Sequence, residues 1–116
     1  MAKVFPGDVV VAPLAQADGG LKPRPVLLLR ELPGFGDYLA CGISTQLHQA
    51  IEGFDLILSP GSSEFSAAGL RTESVVRLGF VGVVPVMKMT RRLGRLPPHL
   101  LALLQTRLAD HIHPVR

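Results

Sequence analysis

At Pro97-Pro98 the sequence changes period, and that change constrains the fold more than any other feature. Before it, apolar runs are short and cut by glycine and proline. Residues 7–14 (GDVVVAPL), 26–30 (VLLLR), 38–45 (YLACGIST), 54–59 (FDLILS) and 72–89 (TESVVRLGFVGVVPVMKM) have the length and composition of strands. After it, Leu100, Leu104, Leu108 and Ile112 recur every four residues, with Leu101 and Leu103 beside them, which makes one apolar helical stripe. A proline pair suits the start of that helix, where a missing N–H costs nothing. Short strands with tight turns, then one helix, predict a mainly β protein. The expected form is a small, curled, mostly antiparallel barrel of about five to seven strands over residues 4–89, with the C-terminal helix on its flank.

The breaks between runs are equally informative. Residues 17–25 (ADGGLKPRP), 31–37 (ELPGFGD) and 60–69 (PGSSEFSAAG) read as loops. Gly79 and Gly82 mark a bulge or sharp bend inside the last β-rich run. Pro85 cannot donate to a ladder and marks a break or an edge.

The 116 residues suffice for one domain, 1–116, with one core. No apolar run approaches the ~18 residues of a membrane span, and the N-terminus lacks a signal-peptide pattern. A cytoplasmic protein without membrane contact is therefore expected. The single cysteine, Cys41, excludes an intrachain disulfide, fits a reducing compartment, and reads as a small buried apolar residue. His111 and His113 beside Asp110 read as a solvated helix end. No Cys/His spacing points to a metal, and no cofactor is expected.

The charge is lopsided. From Ser66 onward Arg71, Arg77, Lys88, Arg91, Arg92, Arg95, Arg107 and Arg116 face only Glu73 and Asp110, in a chain of net charge +3. That distribution suits a polyanion or an acidic partner as well as a merely soluble basic surface. Side chains with chemistry are few. Arg24 stands at the mouth of a buried run, locked between Pro23 and Pro25. Strand alternation groups Glu73, Val75 and Arg77, either bordering a groove or as an ion pair at a sheet edge. Ser44 and Thr45 end a strand, where hydroxyls commonly form turns. His48 follows as an acid/base candidate or a solvated loop histidine.

Taken in order, GDVVVAPL, a glycine-containing loop, RPVLLL, GISTQ, GFDLIL, LRTESVVRL, RLGRLP and a terminal helix resemble the MazF/PemK (Kid-like) toxin family over nearly the whole chain. The resemblance implies an SH3-like barrel that forms a homodimer. It implies a metal-independent, sequence-selective endoribonuclease acting on single-stranded RNA, with 2′,3′-cyclic phosphate and 5′-hydroxyl products. It also implies neutralisation by a small antitoxin with an acidic, disordered tail. By position it implies Arg24 and Ser44 as catalytic residues with Arg77 assisting, and Thr45, Gln46, His48, Phe54 and Val75 as RNA contacts. A guanidinium with paired donors suits a phosphorane, and a hydroxyl can hold one of its oxygens.

Two departures stand beside this. Kid-type members carry Arg-x-Asp on the late strand, where this chain has Arg77 and Gly79. The loop before RP lacks their histidine, and Asp18 is its only carboxylate. Glu73 is accordingly the expected substitute base. The alternatives are a degenerate member that binds RNA or a protein without cutting, and an SH3-like adaptor that holds a peptide.

Overall fold

The computed structural model describes residues 3–15 and 20–115. Its strands are β1 (Asp8–Ala15), β2 (Leu21–Glu31), β3 (Asp37–Ser44), β4 (Leu56–Leu58), β5 (Ser74–Pro85) and β6 (Arg91–Arg95). They form one six-stranded sheet in the order β4-β5-β3-β2-β1-β6, with antiparallel neighbours throughout. The sheet curls into a half-barrel, so that β1 packs on β5 although the two share no ladder. Two helices, α1 (Ser63–Ala68) and α2 (Pro98–Ile112), and two 3-10 turns at Leu47–Gln49 and Val86–Lys88 complete it. Among the described residues no helix is long and apolar enough to cross a membrane.

Alternation along the strands builds a core on each face of the sheet. Val9, Leu27, Leu29, Cys41, Ile43, Val76 and Leu78 lie on one face with Leu104 of α2. Val10, Ala12, Leu14, Val26, Leu28, Tyr38, Ala40 and Val84 lie on the other. The run VLLLR is therefore continuous because both faces at that point are covered, and Val26 to Leu29 are all buried. Each such side chain contributes roughly 1.5–3 kcal/mol of transfer free energy. Burial also pushes the Cys41 thiol far above its ordinary range, with the nearby Asp55 charge adding to the effect. Cys41 is thus the inert apolar residue its surroundings require.

The structure redraws several sequence-based boundaries. Residues 21–25 extend β2 and are not a loop. Residues 63–68 form α1, because Ser62 caps Phe65 N–H through its side chain and Gly69 closes the helix in the left-handed conformation at φ 73°. The sheet does not stop at residue 89: β6 follows and pairs with β1. In α2, Leu100, Leu101 and Leu108 pack beside the buried Leu104, but Ile112 is 71% exposed. The helix is tied down by polar contacts that its apolar period does not announce. Gln105 Nε2 donates to Leu29 O, and Arg107 donates to the carbonyls of Phe54 and Asp55.

Asp55 shortens β4 relative to the expected 54–59 strand. Its buried carboxylate accepts from Ile51 N–H at 2.9 Å and from Leu78 N–H at 3.0 Å. Leu78 begins the stretch at which β5 slips register, since Gly42 pairs with Arg77 while Cys41 pairs with Val81. The bulge expected at Gly79 is therefore present, and Asp55 supplies the acceptor its interrupted ladder lacks. Asp55→Ala is expected to lower stability by about 2–4 kcal/mol, the scale of two buried donors losing a charged acceptor. Urea denaturation measures this, and a loss below about 1 kcal/mol would contradict the role.

Candidate functional site

The site begins with two prolines that open the sheet. A proline has no N–H to give, so a strand holding Pro23 and Pro25 cannot be bonded along both edges there. β2 accordingly pairs with β1 from Leu21 to Leu27 but joins β3 only from Val26. Between lies a gap in which Arg24 is half-buried and its Nε, enclosed by protein, has no hydrogen-bond partner. Carrying the β2–β3 register two residues on from the Val26–Gly42 pair sets Arg24 opposite Ser44.

The third strand completes the cluster. Gly42 pairs with Val26 on one side and with Arg77 on the other, so these positions share a face. Arg24, Ser44 and Arg77 thus stand on one face of three consecutive strands. That face carries the Val26–Leu28 core and is opposite the face that packs on α2. Ser44 Oγ accepts from Gln46 N–H at 3.0 Å, which leaves its own O–H free to donate. Arg77 donates from Nη1 to Gln49 Oε1 at 3.2 Å, while its buried Nε has no partner. Among the described residues no carboxylate lies within ion-pair distance of Arg24 or Arg77. The Arg24 guanidinium instead lies 5.7 Å from the centre of the Phe80 ring.

A groove of about 310 Å³ is lined by Arg24 and, among others, by Pro23, Pro25, Thr45, Arg71, Thr72 and Arg91, while Ser44 and Arg77 do not line it. Its wall of α1 and β6 depends on close backbone approach. A Cβ at Gly94 would strike Ala67 O, and one at Gly69 would strike Leu93 O.

Several sequence-based assignments change in this light. Val75 shares the parity of Arg77 but is 0% exposed, so it is core and offers nothing to a ligand. Phe54 is half-buried against the α2-side core, with its ring 5.1 Å from that of His111, and so packs under the helix instead of presenting a stacking face. Glu73 is not the partner of Arg77: its Oε2 accepts from Ser59 Oγ at 2.6 Å. Thr45, Gln46 and His48 are exposed at the end of β3 and on the turn after it, beside Gln49. Asp18 lies outside the described residues. His111 and His113 are exposed, and among the described residues no cluster could hold a metal ion.

The basic segment also divides. Arg92 and Arg95 donate to the fully buried Asp8, at 3.2 and 2.7 Å, and brace β6 on β1. Arg71 and Arg91 remain at the groove. Gln49, Phe80 and Asp55 carry no motif of their own. The glycine-marked bulge was the only sequence signal near two of them.

A model described as PemK-like, MazF-like toxin of type II toxin-antitoxin system matches residues 5–112. The chain belongs to this family. Solved structures similar to this chain include the Mycobacterium tuberculosis toxin MazF-mt6, at 24% identity and TM-score 0.61 over 89% of this chain and 93% of that one. A mycobacterial endoribonuclease in complex with its cognate antitoxin aligns at 16% identity and TM-score 0.67 over 98% and 100%. The MazE–MazF complex from Deinococcus radiodurans aligns at 18% identity and TM-score 0.64, covering 94% of each chain. At these identities the likeness is one of fold. No curated protein matches the sequence.

Proposed function

We propose that this PemK-like toxin is a metal-independent endoribonuclease that cuts single-stranded RNA. The observation that carries the reading is the pair of half-buried guanidiniums, Arg24 and Arg77, on one sheet face beside Ser44, with no carboxylate bonded to them among the described residues. Cations gathered without counter-ions suit an anion, and planar forks of N–H donors suit a phosphodiester. In the reaction proposed, the ribose 2′-oxygen attacks phosphorus, the 5′-oxygen leaves, and a cyclic phosphate remains. Arg24 holds the charge that builds on the non-bridging oxygens, and the free Ser44 hydroxyl donates to one of them. The 2′-OH proton passes to solvent or to His48, and the leaving oxygen takes up a proton in return.

A second reading has its own observation: Gly79 replaces the Kid-type aspartate, and Glu73 is engaged with Ser59. In that reading the toxin binds RNA without cutting it. Incubating the protein with a long single-stranded RNA separates the two. Fragments support the nuclease, whereas retention of intact RNA in a binding assay supports the other.

Two partners are proposed from the surface. Val81, Val83, Val86 and Met87 are between 40% and 85% exposed along β5 and the turn after it, and form an apolar strip suited to a second copy. Sedimentation is expected to give a homodimer at micromolar concentration, and a monomer there removes this proposal. An acidic antitoxin segment would meet Arg71 and Arg91. Reversing both charges is expected to slow association about tenfold at low salt and flatten its salt dependence. An unchanged on-rate would exclude steering by these two residues.

A further inference from the structure

We infer that Phe80 is a positioning residue for Arg24: its ring is the platform on which the guanidinium rests, and Gly42 is the bare site in the sheet that admits the ring. The inference deepens the reading of Arg24 as the phosphate-binding group and rests on it.

The argument starts from what holds Arg24. Its flanking prolines restrict the backbone, but the side chain retains its own rotations. No carboxylate among the described residues pairs with it, and its buried Nε has no partner. What it does have is the Phe80 ring, 5.7 Å from the guanidinium carbon to the ring centre. A cation is attracted to an aromatic face at that range. The attraction orients the guanidinium without engaging its N–H groups. A carboxylate would fix the side chain as firmly, but it would occupy those donors and offset the charge that an incoming phosphate must meet. A carbon platform leaves both available.

The sheet is built to put the ring there. The β5 register slip lies between Arg77 and Val81, and Asp55 takes the Leu78 N–H that the ladder cannot. Phe80 follows within this irregular stretch and packs on the core of the Arg24 face. Its ring lies over Gly42, where an added Cβ would stand 2.7 Å from Cε2 and 3.1 Å from Cγ. Two sequence features otherwise without a role, a glycine inside buried β3 and a phenylalanine within a bulge, then have one purpose.

The test combines kinetics with a spectroscopic signature. In the wild-type protein the Arg24 side-chain protons are expected to be shifted upfield by the Phe80 ring current, with cross-relaxation between ring and side chain. Absence of both overturns the inference without any variant. Phe80→Leu is expected to erase the shift and lower the single-turnover cleavage rate about tenfold or more, with little change in RNA affinity. Phe80→Tyr, which keeps the ring face, restores most of the rate. Gly42→Ala, which displaces the ring chemically intact, reproduces the loss. A Phe80→Leu rate within about threefold of wild type, or a rate loss with the Arg24 resonances unmoved, rejects the platform. If Arg24→Ala itself cleaves normally, the catalytic reading fails while the resonance data still report whether ring and guanidinium stack.

Discussion

Arg24→Ala is expected to reduce cleavage by at least ~10³-fold while leaving the unfolding midpoint within a few degrees of wild type. The two halves of that expectation have separate causes. The guanidinium lies over the Phe80 ring beside the break in β2–β3 pairing, and among the described residues it forms no ion pair whose loss would destabilise the fold. In the proposed mechanism its removal takes away the principal charge that meets the phosphorane. Arg24→Lys is expected to fail nearly as badly, because an ammonium keeps the charge but loses the planar fork and the fit to the Phe80 face. Ser44→Ala should cost less, on the order of 10- to 1000-fold, the scale of one transition-state hydrogen bond. Quantitative cleavage assays beside thermal melts measure all three. An Arg24→Ala protein that cuts at more than about a tenth of the wild-type rate would remove Arg24 from the mechanism.

Replacing the ribose at the cut site with 2′-deoxyribose is expected to block the reaction completely. In the proposed reaction the attacking oxygen is the substrate's own 2′-hydroxyl, and Cys41, buried with its thiol pushed up, does not compete with it. Binding should persist, since in the proposed complex Arg24, Arg77, Arg71 and Arg91 address phosphates and not the 2′ position. A deoxy-substituted strand that binds and stays whole fits this account. One that is cut at the substituted position contradicts it.

The fold was largely legible because its signals are periodic. Alternation and length placed the runs around β1, β2, β3 and β5, and the four-residue period placed α2 from Pro98. The errors fall where one local contact outweighs the pattern. Residues 21–25 look like a loop by composition, yet they pair with β1 because a proline needs only one unbonded edge to sit in a strand. α1 is written in a Ser62 cap and a Gly69 stop, which the small residues between them obscure. β6 looks like a basic turn until the buried Asp8 is seen to gather Arg92 and Arg95.

For the site, strand order and motif order suggested Arg24, Ser44 and Arg77, and the sheet register brings them to one face. Parity failed at Val75 because a face can be buried over one stretch and open over the next. The Glu73 pairing failed because Ser59, distant in sequence, lies at hydrogen-bond range. Phe80 and Gln49 depend on a bulge and a 3-10 turn, whose geometry no period encodes.

The central claim is that this chain cuts RNA by its own side chains through the substrate's 2′-hydroxyl. The most direct measurement is cleavage of a long single-stranded RNA by purified protein in excess chelator, with the product ends identified by mass. Undiminished cleavage with 2′,3′-cyclic phosphate and 5′-hydroxyl ends is the result this account predicts. Cleavage that requires added magnesium, or that leaves 5′-phosphate ends, would contradict it.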